Sequence, residues 1–158
     1  MVQEAFDLKR RSMLKSLITE MTKEGIKVTH ASMEGYKLLP AIGRYRPDVI
    51  GMYDDGRGVV GIVRMGGEDI DSAAGRQQIK DLAKRISQRD IDSATRRQQP
   101  GDLRRTFPAK HRPVPLYIAI PARVSKDLEV ILQQVGLLKE EGKKLVFAKD
   151  TDIRIRTY

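Results

Sequence analysis

Two short apolar runs separated by an Asp-Gly turn constrain the fold of this chain more than any other feature of its sequence. The runs are 48–53 (DVIGMY) and 59–63 (VVGIV), and Asp54-Asp55-Gly56 lies between them. Runs of β-forming residues on either side of an Asp-Gly turn are typical of a β-hairpin. The sequence therefore predicts a hairpin over about 48–63.

The remaining elements follow from the spacing of apolar residues. Residues 116–120 (LYIAI) form a continuous apolar run, which is typical of a strand buried on both faces. Residues 153–158 alternate and fit either an edge strand or a tail. The other patterns predict helices over about 3–24, 72–89 and 125–136, a short strand at 26–30 and a last core strand at 144–148. This order predicts an α/β domain with a sheet covered on both faces.

Length and composition favour one globular domain. The chain has 158 residues, of which 40% are hydrophobic and 32% charged, so we expect a single domain over 1–158. No run approaches the ~20 apolar residues of a membrane span, and the charged first residues predict no signal peptide. The absence of cysteine excludes a disulfide framework and a thiol nucleophile. The two histidines, His30 and His111, lie far apart in sequence, which argues against a zinc site.

The charge is strongly basic and unevenly distributed. The formal net charge is +9, and residues 76–112 contain eleven Lys or Arg against four Asp, a surplus of seven. This balance favours a polyanionic partner, nucleic acid before an acidic membrane surface. A solvated helix face and a mobile basic loop at about 90–115 would give the same pattern. The candidate nucleic-acid-binding residues are Arg76, Lys80, Lys84, Arg96, Arg97, Arg104, Arg105, Lys110 and Arg112.

A glycine motif at 56–61 (GRGVVG) has the spacing of a dinucleotide-binding loop, G-x-G-x-x-G. That function requires a helix to begin at the glycines, so that its N-terminus meets the pyrophosphate. Here Val59 and Val60 continue as a strand, so we interpret the glycines as a hairpin turn and a strand position. No G-x-S-x-G motif or P-loop is present, so nothing local supports a hydrolase or an NTPase.

A second motif combines Pro47-Asp48 at the start of one hairpin strand with Ile62-Val63-Arg64 in its partner. With 68–71 (EDID), 76–81 (RQQIKD) and 115–121 (PLYIAIP), it resembles the PD-(D/E)xK nuclease superfamily. That superfamily includes restriction endonucleases, archaeal Holliday-junction resolvases and phage-type exonucleases. The resemblance extends from the first helix to about Ala148. It implies a restriction-endonuclease-like core in the order helix–strand–strand–strand–helix–strand, with a mixed sheet flanked by helices.

The resemblance also implies a metal-dependent site whose two central residues are changed here. Asp48 matches the aspartate that, with a second acid, holds one or two Mg²⁺ ions in this family. The second acid falls on Ile62 and the lysine on Arg64. Isoleucine cannot bind a cation, and arginine keeps the charge without the tunable pKa of lysine. An alternative role for Asp48 is a strand-start residue that accepts backbone hydrogen bonds.

The supporting positions of such a site are less specific. Glu20 or Glu24 matches the metal-supporting glutamate of the first helix, and Gln77 or Gln78 the glutamine of the later helix. A carboxylate just beyond the hairpin could replace the lost acid, and Glu68 is the best candidate. If the site is active, its catalytic residues are therefore Asp48, Glu68, Arg64 and Gln78, and its metal ligands are Asp48 and Glu20.

Three functions remain open at this stage. The first is a nuclease-fold protein without catalysis or cofactor that binds nucleic acid, DNA above all, or works in a nucleic-acid-handling complex. The second is an active Mg- or Mn-dependent DNA endonuclease or exonuclease with a relocated acid. The third is a protein–protein assembly module. The expected partners are nucleic acid and a protein complex or a second copy, with no membrane. The expected location is the cytoplasm, including a phage or mobile-element assembly.

Overall fold

The computed structural model describes residues 2–96 and 113–158, and within them it leaves out the side chains of Val2, Gln3, Glu4, Phe6, Glu68 and Arg96. The helices are α1 (Val2–Lys23), α2 (Glu68–Asp71), α3 (Ala73–Lys84), α4 (Gln88–Arg96) and α5 (Ser125–Gln134). The strands are β1 (Lys27–Ala31), β2 (Val49–Met52), β3 (Gly58–Val63), β4 (Pro115–Ile120), β5 (Leu138–Glu141), β6 (Lys144–Phe147) and β7 (Asp152–Thr157). Among these residues, no helix has the length and apolarity needed to cross a membrane.

Five strands form one mixed sheet in the order β1-β2-β3-β4-β7. The β1–β2 and β2–β3 pairs are antiparallel, whereas β3–β4 and β4–β7 are parallel. Because side chains alternate along a strand, β3 contributes Val59 and Val63 to one face and Val60 and Ile62 to the other. The prediction of an α/β fold with a mixed sheet flanked by helices is confirmed at this level.

Each face of the sheet packs against its own helices. On one face, α1 buries Met13, Leu17 and Met21 against the sheet, in a cluster that includes Tyr117. On the other face, apolar residues of α3, α4 and α5 form a larger cluster, with Ile79, Ile91 and Leu128 among its members. The two clusters explain why the strand interiors read as continuous apolar runs.

The predicted hairpin is confirmed as β2 and β3, with Val49 opposite Gly61. Gly56 has a φ of +91° in the turn, and Gly58 and Gly61 lie in the strand. A Cβ atom on Gly61 would come within 2.5 Å of Val49 Cγ1. The glycine motif therefore serves the hairpin, and the interpretation of these glycines as a hairpin turn and a strand position is confirmed.

The predicted helix over 72–89 is two helices, and this corrects the predicted start of the basic loop at about residue 90. Ser72 caps α3 as predicted, because its Oγ accepts a hydrogen bond from Gly75 N. The second helix, α4, begins directly after Ser87. Ser87 and Asp90 form a capping box at this end: Asp90 Oδ2 accepts from Ser87 N, and Ser87 Oγ accepts from Asp90 N. α4 extends to residue 96, and the remainder of the predicted loop up to 112 lies outside the described residues.

The prediction of a last core strand at 144–148 is wrong. Residues 144–147 form β6, which is exposed along its length and pairs with β5 in a two-stranded hairpin separate from the five-stranded sheet. Gly142, with a φ of +66°, turns the chain between these two strands, so the local pairing forms. β7 takes the sheet edge instead and buries Ile153 beside β4, as the edge-strand interpretation of 153–158 predicts.

Candidate functional site

The candidate site lies at one end of the β2–β3 hairpin. Asp48 directly precedes β2 and Arg64 directly follows β3, so an antiparallel pairing brings both to the same end. Asp48 N donates to Gly61 O at 2.9 Å, which places Asp48 beside Ile62. The hairpin register therefore joins the three positions that the sequence motif singled out.

Both carboxylate oxygens of Asp48 are occupied by donors from the chain. Oδ1 accepts from Arg10 Nη2 at 2.7 Å, and Oδ2 accepts from Val63 N at 2.8 Å and from Arg64 Nη1 at 3.1 Å. The side chains of Asp48 and Arg64 are 10% and 8% exposed, whereas that of Arg10 is 41% exposed. Asp48 is thus a nearly buried anion held between two guanidiniums and a backbone amide.

Arg64 makes two further hydrogen bonds. Its Nη1 also donates to Val63 O at 2.8 Å, and its Nη2 donates to Gln78 Oε1 at 2.6 Å. Gln78 comes from α3, which packs on this face of the sheet. Ile62 is fully buried in the apolar cluster of the same face. The structure therefore brings Asp48, Ile62, Arg64 and Gln78 together, with an apolar side chain at the position of the second acid.

Glu20 pairs with another partner away from Asp48, so the structure gives no support to its expected role as a metal ligand beside Asp48, which stays a prediction. Its Oε2 pairs with Arg156 Nε at 2.9 Å, at the β7 side of the sheet. Glu20 lies ten residues along α1 from Arg10, which is about 15 Å of helix. The residue of α1 that reaches Asp48 is the basic Arg10, which the sequence reasoning did not single out. Three consecutive cations, residues 9–11, were the signal, but nothing in them selects the middle one.

The carboxylates that follow the hairpin have other partners or are not described. Glu68 begins α2, and its side chain lies outside the described part of the chain. Asp69 Oδ2 accepts from Met65 N at 2.9 Å, which is a capping role. Asp71 pairs with Arg76. The role proposed for Glu68 therefore stays a prediction.

The donor set around Asp48 does not fit a divalent cation. Mg²⁺ and Mn²⁺ need several oxygen ligands, and within the described residues no group of three or more His, Asp or Glu side chains is placed to hold a metal. Arg10 and Arg64 already contact the two oxygens of Asp48 and would repel a second cation. No catalytic step through a metal is derived from this arrangement.

The predicted nucleic-acid-binding residues divide into two groups. Arg76 pairs with Asp71 and donates to Gln134 Oε1 at 2.6 Å, Lys80 is half-buried and Lys84 is exposed. The side chain of Arg96 and the residues Arg97, Arg104, Arg105, Lys110 and Arg112 lie outside the described part of the chain.

A second polar cluster, called the Tyr117 cluster, joins α1 to β4 and β7. The buried Tyr117 hydroxyl donates to Glu24 Oε2 and accepts from Arg154 Nη1 at 2.8 Å. Arg156 donates to Glu24 Oε1 at 2.6 Å and also pairs with Glu20. Burial and the hydrogen bond to Glu24 raise the pKa of Tyr117 to about 12. This cluster ties the edge strand to the first helix.

A third cluster anchors the loop before β2 to α3. The Tyr45 hydroxyl donates to Asp81 Oδ2 at 2.6 Å, and Gln77 Nε2 donates to Asp81 Oδ1 at 2.8 Å. Burial of Asp81 raises its pKa, but the bonds from Tyr45 and Gln77 and the nearby arginines outweigh burial and hold that pKa below its usual value. A cleft of about 310 Å³ opens beside this cluster, with Arg85 among its lining residues.

Comparison with known proteins identifies no relative: no family model, no curated protein and no solved structure matches this chain.

Proposed function

We propose that this chain is a nuclease-fold protein that binds DNA and has lost the metal-dependent active site. The observation that carries the proposal is the occupation of both Asp48 oxygens by Arg10, Arg64 and Val63 N. A sheet with two antiparallel and then two parallel pairs, α1 before it and α3 before β4, supports the finer interpretation of a restriction-endonuclease-like core.

The charges at the candidate site support binding in place of catalysis. Two guanidiniums face one carboxylate, so Asp48, Arg10 and Arg64 together carry one surplus positive charge. In the family the resemblance names, metal ions neutralise the phosphate. Here arginines of the chain occupy that neighbourhood, and a guanidinium is a strong partner for a phosphate oxygen. The net charge of +9 supports the same class of partner.

A role in protein assembly is a second candidate, favoured by one surface. Three successive side chains of β6, Leu145, Val146 and Phe147, are exposed. Exposed apolar side chains in one segment are typical of contact surfaces. Such a role is compatible with DNA binding in a larger complex.

A cleavage and binding assay tests the proposal. End-labelled duplex, branched and single-stranded DNA are incubated with the protein in Mg²⁺ and then in Mn²⁺, beside the Asp48→Asn variant. We expect no cleavage on a denaturing gel, no Mn²⁺ binding in a calorimetric titration, and salt-dependent binding of DNA.

Cleavage that disappears in an Asp48→Asn variant shown by circular dichroism to be folded would overturn the loss of catalysis and direct attention to Glu68. Absence of DNA binding at low salt would overturn the binding role. Equal cleavage by the wild type and by Asp48→Asn would indicate a contaminating nuclease in both preparations.

A further inference from the structure

The segment before β2 is anchored at two points. At one end, Tyr45 donates to Asp81 of α3 at 2.6 Å. At the other end, Asp48 is held by Arg10 of α1 and by Arg64. Ile42 and Tyr45 also exchange backbone hydrogen bonds in both directions, which fix the turn inside the segment.

Exposed arginines lie along this anchored segment. Arg44 and Arg46 flank Tyr45, and both are exposed, whereas Pro47 and Asp48 are buried. Arg10 extends the series at the Asp48 end. Arg85 extends it at the other end, where its Nε lies 3.3 Å from Asp81 Oδ1. We call these four residues, Arg10, Arg46, Arg44 and Arg85, the arginine row.

The arginine row carries more accessible positive than negative charge. The side chains of Arg10 and Arg85 are 41% and 70% exposed, but those of their partners Asp48 and Asp81 are only 10% and 11% exposed. Asp90, which also lines the cleft beside Arg85, is exposed and accepts a hydrogen bond from Ser87 N. Four arginines therefore face three carboxylates, two of them nearly buried, and Arg64 adds a further positive charge behind Asp48.

We propose that the arginine row is an interaction surface for the sugar–phosphate backbone of duplex DNA. This inference rests on the proposed function. It assigns DNA contact to the arginine row, in addition to any contact made by the basic residues that follow α4 in the sequence. The stretch from residue 44 to residue 48 spans at most about 14 Å. Consecutive phosphates of one DNA strand lie farther apart through space than their ~3.4 Å rise along the helix axis, because the strand winds round that axis, so this stretch can span about two or three of them.

The aromatic content of the row argues for backbone contact. Tyr45 lies between Arg44 and Arg46 in the sequence. It is half-buried, and its hydroxyl donates to Asp81. Single-strand binding relies on exposed aromatic rings that stack on bases. Rigid guanidiniums on a fixed segment suit the phosphates of a duplex, whose spacing is also fixed.

The test compares two double variants of equal charge change. Arg44→Ala/Arg46→Ala removes two exposed charges from the row, and Arg57→Ala/Arg123→Ala removes two exposed or half-exposed arginines elsewhere. Duplex affinity is measured by fluorescence anisotropy over a range of salt concentrations. Each lost phosphate contact lowers the slope of log K against log salt by about 0.9. The row variant should lose a slope of about 1.8 and roughly tenfold or more in affinity, and the control should lose less than about 0.5 of slope.

Two single variants of Arg10 extend the test to the Asp48 end of the row. Arg10→Ala should lose about 0.9 of slope, and Arg10→Lys should retain the slope because it keeps the charge. Circular dichroism establishes that each variant is folded.

The outcomes separate this surface from the proposed function. Equal slopes in the row variant and the wild type, or equal losses in the row variant and its control, would overturn the surface and leave DNA binding in place. Tighter binding of single strands than of duplexes would overturn the choice of duplex. Failure of the wild type to bind any DNA at low salt would overturn both proposals.

Discussion

At one end of the β2–β3 hairpin, Asp48 accepts hydrogen bonds from Arg10 and Arg64, whereas beside β7 two other arginines surround Tyr117. Both clusters join α1 to the sheet, and both combine guanidiniums with nearly buried polar groups. They differ in how their charges balance. The Asp48 cluster has two arginines and one carboxylate.

The Tyr117 cluster matches its arginines with a larger number of acids. Arg154 pairs with Asp152, and Arg156 pairs with Glu20 and Glu24. The guanidinium carbons of both arginines also lie 5.3 Å from the centroid of the Tyr117 ring. The positive charge of this cluster is therefore used within the fold.

The contrast indicates that arginine content alone does not identify a binding surface. A surplus of positive charge and its exposure are the better criteria for such a surface. Arg10 satisfies both, because it shares Asp48 with Arg64 and is more exposed than Arg64. A phosphate would find unmatched positive charge beside Asp48 and matched charge beside Tyr117. Measurements of the free energy of unfolding test how much each cluster contributes to the stability of the fold.

Removal of the Asp48 carboxylate should have the largest effect on stability. Asp48→Ala leaves Arg64 buried without its acid and Val63 N without its acceptor. Breaking a buried pair by removing one partner costs about 3–5 kcal/mol. Urea denaturation should show a loss of this size in the free energy of unfolding.

Asp55→Ala is the matched control for that measurement. Asp55 pairs with Arg57 in the hairpin turn, where both side chains are more than a third exposed, and exposed pairs contribute about 0–1 kcal/mol. A loss from Asp48→Ala no greater than that from Asp55→Ala would contradict the burial of the Asp48 cluster.

Removal of the Tyr117 hydroxyl should have a smaller effect. Tyr117→Phe takes a hydrogen-bond partner from both Glu24 and Arg154, but Arg156 and Asp152 still pair with these residues. The loss of a buried hydrogen-bonding group costs about 1–3 kcal/mol. The midpoint of urea denaturation should fall accordingly.

Tyr53→Phe separates the effect of the cluster from that of one hydrogen bond. The Tyr53 hydroxyl accepts from the same Arg154 Nη1 at 2.7 Å, but Tyr53 is half-buried whereas Tyr117 is fully buried. Its removal should cost less than that of the Tyr117 hydroxyl. Equal costs would mean that Glu24 gains nothing from Tyr117.

The convergence of Asp48, Ile62 and Arg64 was predictable because it depends on short-range geometry, whereas Gln78 comes from α3 and was named only by the resemblance, with Gln77 as the alternative. A hairpin fixes which residues of two strands are neighbours, and alternation with period two fixes which of them share a face. The sequence marks this hairpin with an Asp-Gly turn and two apolar runs. The role of Asp48 as an acceptor of backbone hydrogen bonds also agrees with one of its two sequence interpretations.

The residues that sequence reasoning misplaced depend on long-range packing. Whether Arg10 or Glu20 of α1 reaches Asp48 depends on the angle at which α1 crosses the sheet, and the amphipathic pattern does not record this angle. The incorrect prediction that residues 144–148 form a core strand has a similar cause. Residues 145–147 are a continuous apolar run and residues 153–157 alternate, so both segments fit a strand, and only the pairing of β7 with β4 decides which one joins the sheet.

The pH dependence of stability should distinguish the two clusters on the alkaline side. Burial and the bond to Glu24 raise the pKa of Tyr117 from 10.0 to about 12, so the folded protein holds this proton more tightly than the unfolded chain. The resulting stabilisation is fully present below pH 10 and is lost as the pH rises toward 12. Between these values, the wild type should lose more stability than Tyr117→Phe. Glu24→Gln should lower the pKa of Tyr117, measured from tyrosinate absorbance. Parallel stability curves for wild type and Tyr117→Phe would show that the hydroxyl of Tyr117 does not couple its proton to folding.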